Sequence, residues 1–234
     1  GAAASLAINY LNFKDEDPEY AEKSLDTAIA LYEFARKYRG LGYGKPFYES
    51  SYDYDELSWA AVWLNIATGE EKYIDHIVST DESGKYTGYM QRIIVDTGNE
   101  WQNIWVHCWD TVWGGVFAKL APITNTDRDW YIFRWNLEYW SGVPREDPKD
   151  TNTLSKTPAG FSMLNPYGSA RYNTAAQLCA MVYRKCTGDT AFTDWAKSQM
   201  EYIMGNNPMN RAYIVGYAPD GASHPHHRAS HGSK

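Results

Sequence analysis

The sequence predicts an all-α chain of repeated helical hairpins, on two observations. Apolar residues recur at helical spacing along most of its length, and no stretch alternates convincingly at period two. An acid followed three residues later by an aromatic also opens a helix after a short turn four times: Asp17/Tyr20, Glu70/Tyr73, Asp127/Trp130 and Asp189/Phe192, spaced by 53, 57 and 62 residues. The second and fourth copies match further, Ala67-Thr68-Gly69-Glu70 against Cys186-Thr187-Gly188-Asp189. Two-helix units repeated at this length predict an α/α toroid, in which inner helices line a core and the connecting loops at one end build the site. About four hairpins are too few for a six-hairpin ring. Residues 1–234 therefore read as part of one domain that lacks its N- and C-terminal portions, an expectation to which the opening Gly1-Ala2-Ala3-Ala4, without an initiator Met, adds.

The elements follow in order. Asp17-Pro18 is an N-cap with proline at the first helical position, and Leu25, Ala28, Ile29, Tyr32 and Ala35 mark one apolar face beyond it. Further helices are predicted from about Asp55 to Thr68, Trp109 to Leu120 and Asp127 to Trp140, with a pair over Ser169 to Met204. Loops are predicted at Arg39–Asp53, Ser79–Glu100, Gly142–Asn165 and from Asn206 onward.

Composition narrows the function. Ten Trp and 19 Tyr among 234 residues are many flat apolar faces with polar edges, which suit sugar rings as well as a helical core. A net charge of -7 and a pI near 5.4 argue against nucleic acid, which needs clustered Lys and Arg, and favour a neutral ligand. No apolar run approaches a membrane span, so no membrane partner is expected. Three cysteines, Cys108, Cys179 and Cys186, have neither an even count nor zinc-knuckle pairing and are expected to be buried free thiols.

The most chemical segment is His224-Pro225-His226-His227-Arg228, with His231 shortly after. Taken alone, it reads as a zinc site, a solvated loop or a polar cluster that binds substrate; only Asp220 supplies a nearby acid. Together with Asn207-Pro208-Met209-Asn210-Arg211-Ala212-Tyr213-Ile214-Val215-Gly216-Tyr217, it resembles the histidine signature of glycoside hydrolase family nine, the inverting cellulases. Ala212, Ala218 and Asp220 depart from the family's usual Ser, Gly and Asn. Upstream, Asp55-Glu56-Leu57-Ser58-Trp59 through Glu70, Trp105 through Lys119 with Cys108-Trp109-Asp110, and Tyr167-Gly168-Ser169-Ala170-Arg171-Tyr172 resemble family segments in the same order, with Tyr167 replacing a usual Trp.

The resemblance implies an inverting endo-acting hydrolase of β-1,4-glucosidic bonds in cellulose or a related β-glucan, secreted to the extracellular space. It implies that His226, the signature active-site histidine, and Arg228 contact the sugar beside the cleavage point. Trp105, Tyr167, Arg171 and Tyr172 are implied to join them on one groove. Ser51, Asp55, Glu56 and Asp110 match positions that bind a structural calcium ion in some members, although Asp55 and Glu56 also read as ordinary helix N-terminal charge. Inverting glycosidases need one acid to protonate the leaving oxygen and one carboxylate to activate water. In the family these lie in an Asp-Ala-Gly-Asp segment and in a Glu-bearing segment beyond the histidine motif; neither is identifiable here, so the chain alone is expected to be inactive. The carboxylates are expected in the rest of the catalytic domain or on a second chain. A non-catalytic carbohydrate-binding helical protein and a hydrolase of another polysaccharide are the alternatives.

Overall fold

The computed structural model describes residues 1–42, 50–95, 100–101 and 107–223. The chain divides into two compact units, Gly1–Trp130 and Tyr131–Lys234.

The first unit begins with α1 (Ala2–Phe13) and α2 (Pro18–Lys37). Sequence periodicity did not expect α1, because its first turns are alanine and show no contrast of faces, but alanine is the best helix former. Its small side chains also allow close approach: Ala3, Ala4 and Ala7 are buried, as are Ala21 and Ala28 of the α2 helix against which α1 packs. Asp17 caps α2 as expected, its side chain accepting from the Tyr20 N–H at 3.2 Å.

Helices α3 (Tyr54–Thr68) and α4 (Lys72–Val78) form the second hairpin. Their turn explains the Thr-Gly-acid signature. Thr68 Oγ1 donates back to Leu64 O at 2.7 Å and accepts from the Glu70 N–H at 3.1 Å, while Gly69 takes the left-handed conformation at φ 74°. In the second unit Thr187 repeats this with Tyr183 O at 2.8 Å and the Asp189 N–H at 3.1 Å, around Gly188 at φ 76°. In both copies the trailing aromatic, Tyr73 or Phe192, is fully buried. The left-handed glycine ends one helix, the threonine ties off the orphan groups, and the ring locks the next helix down.

Beyond α4 come a 3-10 turn (Tyr89–Arg92) and a two-stranded antiparallel ribbon, β1 (Ile94–Val95) with β2 (Glu100–Trp101), inside the segment expected to be loop. Helix α5 (Trp113–Thr124) packs on α3 and starts four residues later than the expected Trp109. A turn over Cys108–Thr111 intercepts the helix, with the Cys108 N–H bonded to Thr111 O at 2.6 Å. It also runs past the expected Leu120, because Pro122 sits in the last turn, where its missing N–H costs one bond and no downstream turn is broken. Tyr32, Leu64, Tyr73, Ile77, Met90, Trp113 and Leu120 form the buried core.

Helix α6 (Asp127–Ser141) runs from one unit into the other. In the second unit α7 (Ser169–Thr187) and α8 (Thr193–Met204) make the last hairpin, as expected. Phe133 of α6 meets Tyr183 edge-on with centroids 5.3 Å apart, and Tyr183 meets Phe192 at 5.5 Å. Arg134 bonds Glu138 at 2.8 Å and Asp189 at 2.6 Å, so the acid of the fourth signature also ties its turn to α6. Helices therefore carry the fold, with two-residue strands the only extended pairing among the described residues besides isolated bridges. All three cysteines are free; Cys179 is buried, its thiol pushed up to about 12 by desolvation, but Cys108 is half-buried and Cys186, at the polar end of α7, is exposed against expectation.

Candidate functional site

Four of the sequence-derived site residues lie in the first unit, as two pairs. The loop before α3 brings Ser51 to the Cys108–Thr111 turn, where the Ser51 N–H donates to Asp110 Oδ1 at 2.8 Å and its hydroxyl to Asp110 Oδ2 at 2.7 Å. On the first turn of α3, Asp55 Oδ2 accepts from the Val112 N–H at 2.7 Å. Residues 51–56 and 110–112 are thus joined twice. Asp55 is 0% exposed, and its Oδ1 is buried without a hydrogen bond of good geometry.

Burial raises the Asp55 carboxyl above its ordinary range, partly opposed by the Val112 bond. The half-buried Glu56 carboxyl is pushed from an ordinary 4.5 up to about 8, first by desolvation and then by the negative charge of Asp55 beside it. Among the described residues no three acidic, His or Cys side chains are gathered closely enough to hold a metal. The four residues stand as two pairs, Ser51 with Asp110 and Asp55 with Glu56, rather than as one cage. Their donors are nonetheless all oxygen, as a hard cation requires, and Asp55 and Glu56 crowd two carboxyls together, with Asp55 Oδ1 buried.

Sequence reasoning passed over Trp109 in favour of Trp105. The Trp109 indole, between Cys108 and Asp110 in the turn, is 45% exposed, while Trp113 four residues later is fully buried. The signal was present in the Cys108-Trp109-Asp110 match but was absorbed by a helix assignment. Trp105 lies outside the described residues, as do His226 and Arg228.

In the second unit Arg171 and Tyr172 pair on the first turn of α7, and Tyr167 stands just before it. An Asn165 side chain accepting from the Tyr167 N–H at 2.8 Å turns the chain, and Gly168 at φ 62° delivers it into the helix. Tyr167 is 63% exposed. The exposed Arg171 guanidinium lies 4.5 Å from the centroid of the buried Tyr172 ring and donates to its hydroxyl at 2.6 Å, so stacking and hydrogen bonding fix a cation at the start of α7. An exposed ring and a fixed guanidinium are the kinds of group that meet a sugar face and its hydroxyls.

The chain is thus an all-α protein of helical hairpins whose turns and loops present exposed aromatic rings, an oriented arginine and paired carboxylates. The glycosyl hydrolase family 9 model matches residues 1–234, and the chain belongs to that family. Endoglucanase A of Bacillus pumilus is 34% identical over 241 residues, covering 99% of this chain and 34% of that protein. Endoglucanase 18 of Arabidopsis thaliana is 35% identical over 248 residues, covering 98% and 48%. Among solved structures, the catalytic domain of Clostridium thermocellum CelT matches with a TM-score of 0.76 at 41% identity, over 97% of this chain and 47% of that one. The cellulase Cel9M of C. cellulolyticum in complex with cellobiose matches with a TM-score of 0.79 at 34% identity, over 97% and 48%. The chain spans between about a third and a half of these proteins.

Proposed function

We propose that the protein hydrolyses β-1,4-glucosidic bonds in cellulose or a related β-glucan by an inverting acid/base reaction. Family membership over the whole chain carries this reading. In it the acid and base come from the rest of the catalytic domain or from a second chain, and these 234 residues supply much of the surface that grips the polymer. Trp109 and Tyr167 offer rings to sugar faces, and Arg171 offers a guanidinium held by Tyr172. Trp105, His226 and Arg228 join them by family resemblance, the last two beside the scissile bond. Cellulose cannot enter a cell, so the enzyme acts outside it.

The whole catalytic domain, assayed on soluble β-1,4-glucan, should release product as the inverted anomer. Arg228→Ala should lower kcat more than it raises KM, because a group beside the breaking bond binds the transition state more tightly than the ground state. Retention of anomeric configuration, or an Arg228→Ala change confined to KM, would count against the proposal.

Calcium held by Ser51, Asp55, Glu56 and Asp110 belongs to the same reading, as a structural clip between residues 51–56 and the Cys108–Thr111 turn. Its chemistry there is charge neutralisation. The pH dependence has a definite sign. Glu56 has a folded-state pKa above its unfolded value, so without a cation the folded state holds the extra proton, and stability falls as pH rises from about 4.5 to about 8. In EDTA, Tm should therefore fall between pH 5 and pH 8.5, and excess calcium should restore it most at the upper end. A Tm indifferent to chelation at both pH values would remove calcium from the proposal.

A further inference from the structure

We infer that His107 is a positioning residue that sets the pose of Trp109, an inference that rests on the reading of Trp109 as a sugar platform. The Cys108–Thr111 turn is short and exposed, and a flat ring helps a polymer to bind only if it is held at a fixed angle. Among the described residues, two anchors besides the Asp55–Val112 bond hold this turn. One is the Asp110 carboxylate on Ser51, which belongs to the acidic cluster. The other is His107, immediately before the turn.

The His107 ring is wedged between two helices. It meets Trp59 of α3 nearly edge-on, with centroids 5.1 Å apart, and lies against the backbone of Gly115 in the first turn of α5. A Cβ at position 115 would stand 2.4 Å from His107 Nδ1, 2.6 Å from Cε1 and 3.0 Å from Trp59 Cζ3, so the glycine is the slot that admits the ring. His107 Nδ1 also faces Val112 O at 3.4 Å, and because a carbonyl only accepts, Nδ1 carries the proton in that contact. At that length the bond is weak. The wedge therefore does the holding: it fixes the residue before the turn, while the Asp55 carboxylate fixes Val112 after it. Trp109 sits at the tip of a turn pinned at both ends of its base.

The test uses the whole catalytic domain, with cellotetraose Kd read by tryptophan fluorescence and kcat and KM measured on soluble β-1,4-glucan. His107→Ala should raise Kd and KM about fivefold and change kcat by less than about twofold, because only the orientation of a binding group is lost. His107→Phe keeps a ring in the slot and should stay within about twofold of the parent. Gly115→Ala expels the ring and should behave like His107→Ala, and the two changes together should be no worse than either alone, since the added methyl then fills vacated space. Should His107→Ala fail to fold, Gly115→Ala set against His107→Phe carries the comparison. Trp109→Ala separates the inference from its premise, with an expected rise in Kd of about tenfold or more. An unchanged Kd in Trp109→Ala would overturn both the platform reading and the inference built on it. Weakened binding in Trp109→Ala with unchanged binding in His107→Ala and Gly115→Ala would overturn the inference alone.

Discussion

A polypeptide of these 234 residues made alone should hydrolyse soluble β-1,4-glucan at least about 10⁴-fold more slowly than the catalytic domain that contains it. General acid and general base catalysis are each worth about 10²- to 10⁴-fold, and the proposed reading takes both from outside this chain. The rival assignment would place them on Asp55 and Glu56, whose raised carboxyls look like a tuned acid and base. Geometry argues against it. An inverting enzyme holds its carboxyl groups about 6.5 to 9.5 Å apart so that a water fits opposite the leaving oxygen. Asp55 and Glu56 are neighbours on one helical turn, close enough to perturb each other, and Asp55 is sealed from solvent. An assay of the isolated chain beside the whole domain, with gel filtration to establish that each is monomeric, decides the matter. Comparable turnover would return the chemistry to this chain and to that pair.

The hairpin turns were legible in the sequence because their chemistry is local. Thr-Gly-acid specifies a left-handed glycine and a threonine that closes the turn by accepting from the acid's backbone N–H, and both copies adopt the same hydrogen bonds. Helix α1 was hidden by its opening run of alanines, and the start of α5 by a turn held from 59 residues away through Ser51 and Asp110. The acidic residues were legible as a group through family resemblance, but their pairing was not, since it depends on which backbone N–H reaches which carboxylate. Trp109 was misassigned for the same reason: spacing alone does not distinguish an exposed ring on a turn from the buried Trp113 that begins the helix. The long segment before α7 read simply as loop, although a buried polar hub fixes it.

That hub yields the largest expected stability effect, in Gln199→Leu. Gln199 Oε1 accepts from the Ser162 N–H at 2.8 Å and from Asn173 Nδ2 at 2.9 Å, and its Nε2 donates to Gly160 O at 3.1 Å. Around it Asn173 also donates to Ser162 O at 2.9 Å, the Ser162 hydroxyl donates to Trp140 O at 2.8 Å, and Trp195 Nε1 donates to that hydroxyl at 3.0 Å. Ser162, Asn173 and Gln199 are all buried. Leucine keeps the volume of glutamine but removes the shared acceptor, leaving a backbone N–H and an amide N–H without their partner, at about 1 to 3 kcal/mol each. The sum of about 2 to 6 kcal/mol should lower the Tm of the whole domain, which is about twice the length of this chain, by roughly 2 to 6 °C. Asn173→Leu added to Gln199→Leu should cost much less than its separate effect, because the two belong to one network. Function should follow the same route. Asn173 lies one residue beyond Tyr172 on α7, and Ser162 lies on the segment that ends at Tyr167, so loosening the hub frees the two stretches of chain that carry Tyr167 and Arg171. Gln199→Leu should therefore raise KM on soluble glucan even at temperatures where the variant is fully folded. A Tm equal to the parent's to within about half a degree would show that the hub does not hold the loop.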